Sequence, residues 1–350
     1  MSKKIGLVIF LVSYLCVDSF SQYATHTLSK KQQEYTDSLK RIDYDHFFPI
    51  LGKKAYKMGF DIPYPVGIMA NYFYTKQGLV IENLQLGLTS DNNEIPLTPV
   101  DIVEFGSNSV AANSYNVRPD IWIFPFLSVY GVFVVGNSTT IVNLVAPVAL
   151  RSEVKQGLKT AGVGLTGAFG LGPLFTAVDI NWTWNKPEKL EKPVPANVLS
   201  IRLGHSIKFP QKPQRNIALW VGAMRARIGA GTVGQIALSD ALPADVWAKK
   251  DQIVSDYYAW YNALDPNNPG DRIKIDKADQ ILTPIIERID AADGSATVKY
   301  ALDKRPTEEW NMIVGGQYQM SKRWIFRTEG GFLGDRKSLL LSVNYRFLAF

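Results

Sequence analysis

The sequence predicts an all-β chain that closes into a transmembrane antiparallel barrel, and three observations carry that prediction. First, residues 338–347 alternate strictly. Leu339, Leu341, Val343, Tyr345 and Phe347 share one face, and Ser342, Asn344 and Arg346 share the other. An apolar face opposite a polar one suits a strand with lipid outside and a wet lumen inside. Second, beyond residue 17 no apolar run reaches the roughly 18 residues that a spanning helix needs. Third, segments of similar alternating pattern recur along the chain, separated by turn residues. The composition agrees, with 27 Gly, 16 Tyr, 17 Phe and 8 Trp at a mean hydropathy of −0.04.

The C-terminal stretch, closing on Tyr345 and Phe347, resembles the β-signal that assembly machinery recognises in Gram-negative outer-membrane β-barrel proteins. The resemblance implies an outer-membrane location, with lipid and the assembly machinery as partners. It names no narrower family. The N-terminus points the same way. Lys3 and Lys4 precede the apolar run 5–17, and Ser19-Phe20-Ser21 forms a small-x-small cleavage site, the pattern of a signal peptide over 1–21. A lipoprotein anchored at Cys16 is the rival reading, but Leu15 is too large for a lipobox. Cys16 is the only cysteine and leaves with the signal peptide, so no disulfide is expected. The net charge of +6 is spread without a basic cluster, so nucleic acid is not expected as a partner.

Counting back from the C-terminus gives twelve expected strands: 66–76, 79–88, 96–106, 117–136, 140–150, 158–171, 174–185, 197–209, 215–229, 308–320, 323–333 and 338–347. The barrel domain is therefore 65–350. Short turns fall on the periplasmic side and long loops outside. Segment 117–135 resists, since both faces look apolar and Pro119 and Pro125 interrupt it. Read as two strands, it raises the count to fourteen, and its inner face could pack on a plug. Aromatics divide into two girdles. Tyr72, Tyr74, Trp122, Trp182, Trp184 and Trp310 are expected at the outer rim. Phe169, Phe175, Phe209, Tyr318, Trp324, Tyr345 and Phe347 are expected at the inner rim.

Two segments are not barrel. Residues 22–64 carry a polar, helix-prone stretch, then a late apolar cluster, then Pro63 and Pro65, which impose extended backbone. They form either a periplasmic tail or a lumen plug. Residues 230–307 are an extracellular insertion. Val246, Ile253, Tyr257, Tyr261 and Leu264 share one helix face. A second helix is expected from an N-cap at Asp276, carrying Ile281, Leu282, Ile285, Ile286 and Ile289, with a kink at Pro284. Between the two helices, Asp265, Asn267, Asp271 and Asp276 are spaced as in a calcium loop. Pro269 occupies a ligand position it cannot serve, so a Pro/Gly turn is the stronger reading.

No catalytic motif and no cofactor site is visible. His205 and Ser206 are adjacent on a strand and so point to opposite faces, which argues against a barrel hydrolase. The Gly-rich stretch 162–172 has neither a following helix nor a P-loop lysine, and suits a barrel wall where glycine allows close approach. What remains is the lumen, where Asp179, Arg202, Arg327, Glu329 and Arg346 are expected inward. These residues are candidates to set selectivity for a small polar or amphipathic solute, or to close a structural salt-bridge network. A non-transporting barrel that binds a partner through its insertion is the alternative function.

Overall fold

The computed structural model describes residues 30–90, 93–229 and 231–348. The expected signal peptide, Cys16 and His26 lie outside them. Among the described residues no helix is long and apolar enough to cross a membrane.

Ten strands close into an antiparallel ring. They are β1 (Val66–Ser90), β4 (Asn108–Phe124), β5 (Leu127–Ala146), β6 (Leu150–Leu171), β7 (Leu174–Pro187), β8 (Val194–Phe209), β9 (Lys212–Ile228), β12 (Trp310–Gln319), β13 (Trp324–Phe332) and β14 (Lys337–Phe347). Closure comes from β1, which pairs with β14 from Val66↔Phe347 to Lys76↔Lys337 and with β4 from Val66↔Ile121 to Leu79↔Asn108. Four strands lie outside the ring: β2 (Asn93–Pro99), β3 (Glu104–Phe105), β10 (Thr232–Ala237) and β11 (Thr297–Pro306).

Ten strands, not twelve or fourteen, is a correction with three local causes. Gln77-Gly78 reads as a turn, but β1 runs through it. Past Leu79 the strand leaves the ring and pairs instead with β11 and β2. Residues 96–106 hold only the outside pieces β2 and β3. Gly136-Asn137-Ser138-Thr139 also reads as a turn, but β5 continues through it. A Cβ at Gly136 would collide with the Asn113 carbonyl and Ser114 on β4, so this glycine serves close strand approach. The true turn is Pro125-Phe126, within the segment that had seemed one strand.

The ring has two unlike ends. Turns at 125–126, 172–173, 210–211 and 320–323 are short, and they share an end with Val66 and Phe347. The opposite end carries every long excursion. That polarity is the one expected of an outer-membrane barrel. The outward face is apolar: Phe133, Val135, Val163, Leu203, Leu219, Val314, Phe326, Leu341 and Val343 are all exposed. A belt of this kind needs lipid to cover it. At the short-turn end, Phe124, Phe126 and Phe169 stack, Phe209 meets Tyr318, and Tyr345 contacts Trp324 and Phe347. Trp122 and Phe175 are corrections to the girdles. Both face the lumen at the short-turn end, because the misread hairpin inverted one and strand parity turns the other inward.

The insertion folds as a cap. Helices α3 (Leu238–Ala241), α4 (Ala244–Trp247), α5 (Lys250–Asn262), α6 (Pro269–Lys277) and α7 (Thr283–Asp290) follow β10. All but α6 contribute apolar side chains that join Leu88, Val100, Val148 and Val298 in one core. Asn268, not Asp276, caps the second helical stretch, accepting from Gly270 N at 2.9 Å. That stretch passes through a π-helical turn at Ala278–Leu282 just before Pro284. A π turn is one way to absorb a proline that lacks an N–H and crowds the preceding turn.

The N-terminal segment forms α1 (Lys30–Lys40) and α2 (Gly52–Lys57) around a small core of Leu39, Tyr44, Ala55, Tyr56 and Ile62. It is tied to the short-turn rim. Ile50 N donates to Ile123 O at 2.8 Å, and Lys322 pairs with Asp61 at 3.0 Å. Tyr35 donates to the same carboxylate at 2.8 Å; burial first, and then the Asp61 charge, raise its hydroxyl pKa.

Candidate functional site in the barrel lumen

Strand parity sends every second residue inward, and the inward set is polar where the outward set is apolar. In the short-turn half of the lumen these side chains form two charge networks. In the first, Arg202 donates to Glu329 through Nε at 2.7 Å and Nη2 at 3.1 Å, and also pairs with Asp179. Arg327 Nη2 reaches Glu329 at 2.9 Å, and Trp220 Nε1 donates to the same carboxylate at 2.8 Å. Arg327 also lies 5.0 Å from the Trp220 ring. Thr166 donates to Asp179.

The second network centres on Arg346. It pairs with Asp120 at 2.8 Å and donates to the carbonyls of Tyr64 at 2.8 Å and Pro65 at 3.3 Å. So the structure gathers Arg327, Glu329, Asp179 and Arg202, while Arg346 bonds elsewhere on the same wall. Arg346 also anchors the extended entry into β1, linking the last strand to the N-terminal segment.

These groups surround a cavity of about 400 Å³, to which Arg118, Arg202, Arg327, Arg346, Asp120 and Asp179 contribute. Asp61 and Pro63 close its lower edge, so only the extended end of the N-terminal segment enters the mouth. Arg118 differs from the other arginines. It sits 3.8 Å over the Tyr130 ring, and among the described residues it is in no ion pair. Tyr130 occupies space that a Cβ at Gly164 would take, one of the close approaches expected of the Gly-rich strand.

Sequence reasoning missed Arg118, Asp120, Tyr130 and Trp220. The signal was present for the first two. Asn116, Arg118 and Asp120 alternate with Tyr115, Val117, Pro119 and Ile121, so that face is polar and not apolar as expected. Proline at 119 obscured it, because it cannot donate to the ladder. The β4–β5 pairing passes directly from Val117↔Phe133 to Asp120↔Tyr130.

Other candidates separate. His205 pairs across to Leu174 and Leu219 on the lipid-facing side, and Ser206 lines the lumen cavity. Asp271 and Asp276 lie on α6, not in a loop. Asp271 pairs with Lys274 at 3.0 Å, and Asp265 accepts from Asn267 N at 2.9 Å. The helix spreads these acids along its axis, so the calcium spacing does not become a calcium geometry. Among the described residues no three His, Cys, Asp or Glu side chains gather as a metal site.

No family model matches the chain, and no curated protein matches it. Solved structures do. The β-domain of the Bordetella autotransporter BrkA aligns at 9% identity with a TM-score of 0.36, covering 81% of this chain and 100% of that one. The transport unit of the autotransporter AIDA-I from Escherichia coli aligns at 10% and 0.34, covering 92% and 100%. OprG from Pseudomonas aeruginosa aligns at 11% and 0.33, covering 83% and 100%. At these scores the matches add nothing to the chain's own geometry. A closed antiparallel ring with an apolar belt, a polar lumen and short turns at one end is the architecture of an outer-membrane β-barrel protein.

Proposed function

We propose that this barrel admits a small polar or amphipathic solute across the outer membrane, without catalysing a reaction on it. The observation that carries the reading is the charged lumen cavity, with Arg118 left outside any ion pair. Eight-stranded barrels are filled by their side chains and sixteen-stranded ones hold open channels. Ten strands stand near the filled end, so passage is narrow and its fixed charges dominate. The non-enzymatic reading is supported by the opposite facing of His205 and Ser206, which keeps them from sharing a proton.

The alternative, a partner bound through the insertion, has less support. The cap spends its apolar faces on its own core, and within 232–306 Ile273 is the one large apolar residue that is exposed. Planar-bilayer recording tests the proposal. Stepwise current with a weak anion preference is expected, and Arg118→Gln should shift reversal potential toward cations in a barrel that still folds. No current from verified inserted barrels, with and without the cap, would sink the transport reading.

A further inference from the structure

Beneath the cap lies a second cavity, of about 190 Å³. Its walls come from the extensions of β1, β5 and β6, from β10 and β11, and from α3 and α7. Lys304 on β11 is the only charged residue among those walls.

This lysine, like Arg118, lacks the carboxylate partner that most of the interior cations have. In the lower lumen Arg202, Arg327 and Arg346 each have a carboxylate within hydrogen-bond distance. Among the described residues Lys304 has none. Its inward neighbours along β11 are Val298, Tyr300 and Leu302, so the pattern calls for another apolar side chain there. An ammonium drawn out of water costs free energy unless an anion compensates it. Burial alone, with no nearby charge, pushes its pKa down to about 8.

The cavity has a direction. On β5 the lining runs from Thr140 through Val142 to Leu144, and on β6 from Gln156 through Val154 and Ser152 to Leu150. On β11 it runs from Lys304 through Leu302 and Tyr300 to Val298. Val298 pairs with Leu88 and Lys304 with Ile81 on β1, which places Lys304, Thr140 and Gln156 toward the barrel, while Ser152, nearer the cap, spends its hydroxyl on Ala241 O at 2.7 Å. The apolar members lie under the cap, against Leu238, Leu242, Ile285 and Ile289. Four residues further down β1, Gln77 accepts from Arg336 Nε at 2.6 Å. Arg336 is 3% exposed, and its Nη1 and Nη2 have no hydrogen-bond partner. A second cation with unpartnered N–H groups therefore stands below the first.

We propose that the cavity under the cap binds a small carboxylate-headed amphiphile, its apolar body beneath the cap helices and its carboxylate at Lys304. A dry apolar cavity of about 150 Å³ holds benzene, so this one suits an apolar body of roughly eight carbons. The site names a solute class for the transport reading and rests on that reading only for its place in passage. Binding itself is measured without flux.

The test uses the full barrel folded in lipid nanodiscs and titrated by calorimetry with octanoate, with octylamine as the opposite-charge probe. Octanoate should bind saturably at one site, and octylamine should not. Lys304→Met, which keeps length and adds no strain, should weaken octanoate at least tenfold. Ala241→Phe fills the apolar end while leaving the lysine, and should weaken it likewise. Heat-modifiable migration on gels checks that each variant is folded. Equal octanoate affinity in wild type and folded Lys304→Met overturns the proposal, as does absence of saturable binding to wild type. A barrel that conducts but does not bind octanoate loses this proposal alone. One that binds but never conducts keeps it and loses the transport reading.

Discussion

Glu329 holds more of the lumen together than any other single side chain, since it accepts from Arg202, Arg327 and Trp220. Removing its charge leaves the buried Arg327 guanidinium with no carboxylate partner and Arg202 with Asp179 alone. Breaking a buried pair from one side costs about 3–5 kcal/mol. Glu329→Gln should therefore lower the urea midpoint of the vesicle-embedded barrel by a corresponding amount. An unchanged midpoint would mean that water already screens the network. Lys304 makes a second prediction, on pH. Its folded pKa of about 8 lies below the unfolded value of about 10.4. Between them the unfolded chain keeps the proton and the folded chain releases it, so this group makes stability rise with pH across that window. Tyr300, the other titratable group in the cavity, is pushed up to about 12 by burial and stays neutral there. The urea midpoint should rise less from pH 8 to pH 10 in Lys304→Met than in wild type.

Among the elements, β14 bears the clearest relation between pattern and role. Its lipid face carries Tyr345 and Phe347, and Phe347 pairs with Val66 where the ring closes. Phe347→Ala should lower the heat-modifiable fraction in outer membranes, and deleting 348–350 should do so less. Equal damage from both would place the assembly signal at the chain end. The cap is the other element with a direct test. The link from α5 to α6 is exposed across 265–270 and faces outside in this orientation. Protease added to intact cells should cut there. Cutting only after outer-membrane permeabilisation would invert the topology.

For the whole molecule, the question is what the cap does to the mouth of a ten-stranded barrel. Ala237 pairs with Thr297 at the end of the β10–β11 ladder, so a short hairpin turn can replace 238–296 without disturbing the ring. That variant should fold and show larger unitary conductance than wild type, because the helices and their core no longer cover the lumen. Equal conductance would place the constriction in the lower networks around Glu329 and Arg346.

The sequence by itself determined the class of object. Alternation on β7, β8, β12, β13 and β14 separated lipid-facing from inward positions, and in the ring Asp179, Arg202, Arg327, Glu329 and Arg346 are all buried on the inward side. Period-2 patterning is local, and a lipid-facing side chain cannot trade places with a lumen-facing one, so these strands were legible. The number of strands was not. Gly78, Gly136 and Asn137 have turn chemistry, yet they sit inside long strands whose partners override local preference. Pro119 broke the alternation that would have shown Arg118 and Asp120. The lumen networks and the Lys304 cavity were equally out of reach. They join residues up to 282 positions apart, and only closure of the ring and docking of the cap decide which inward charges meet a partner and which are left without one.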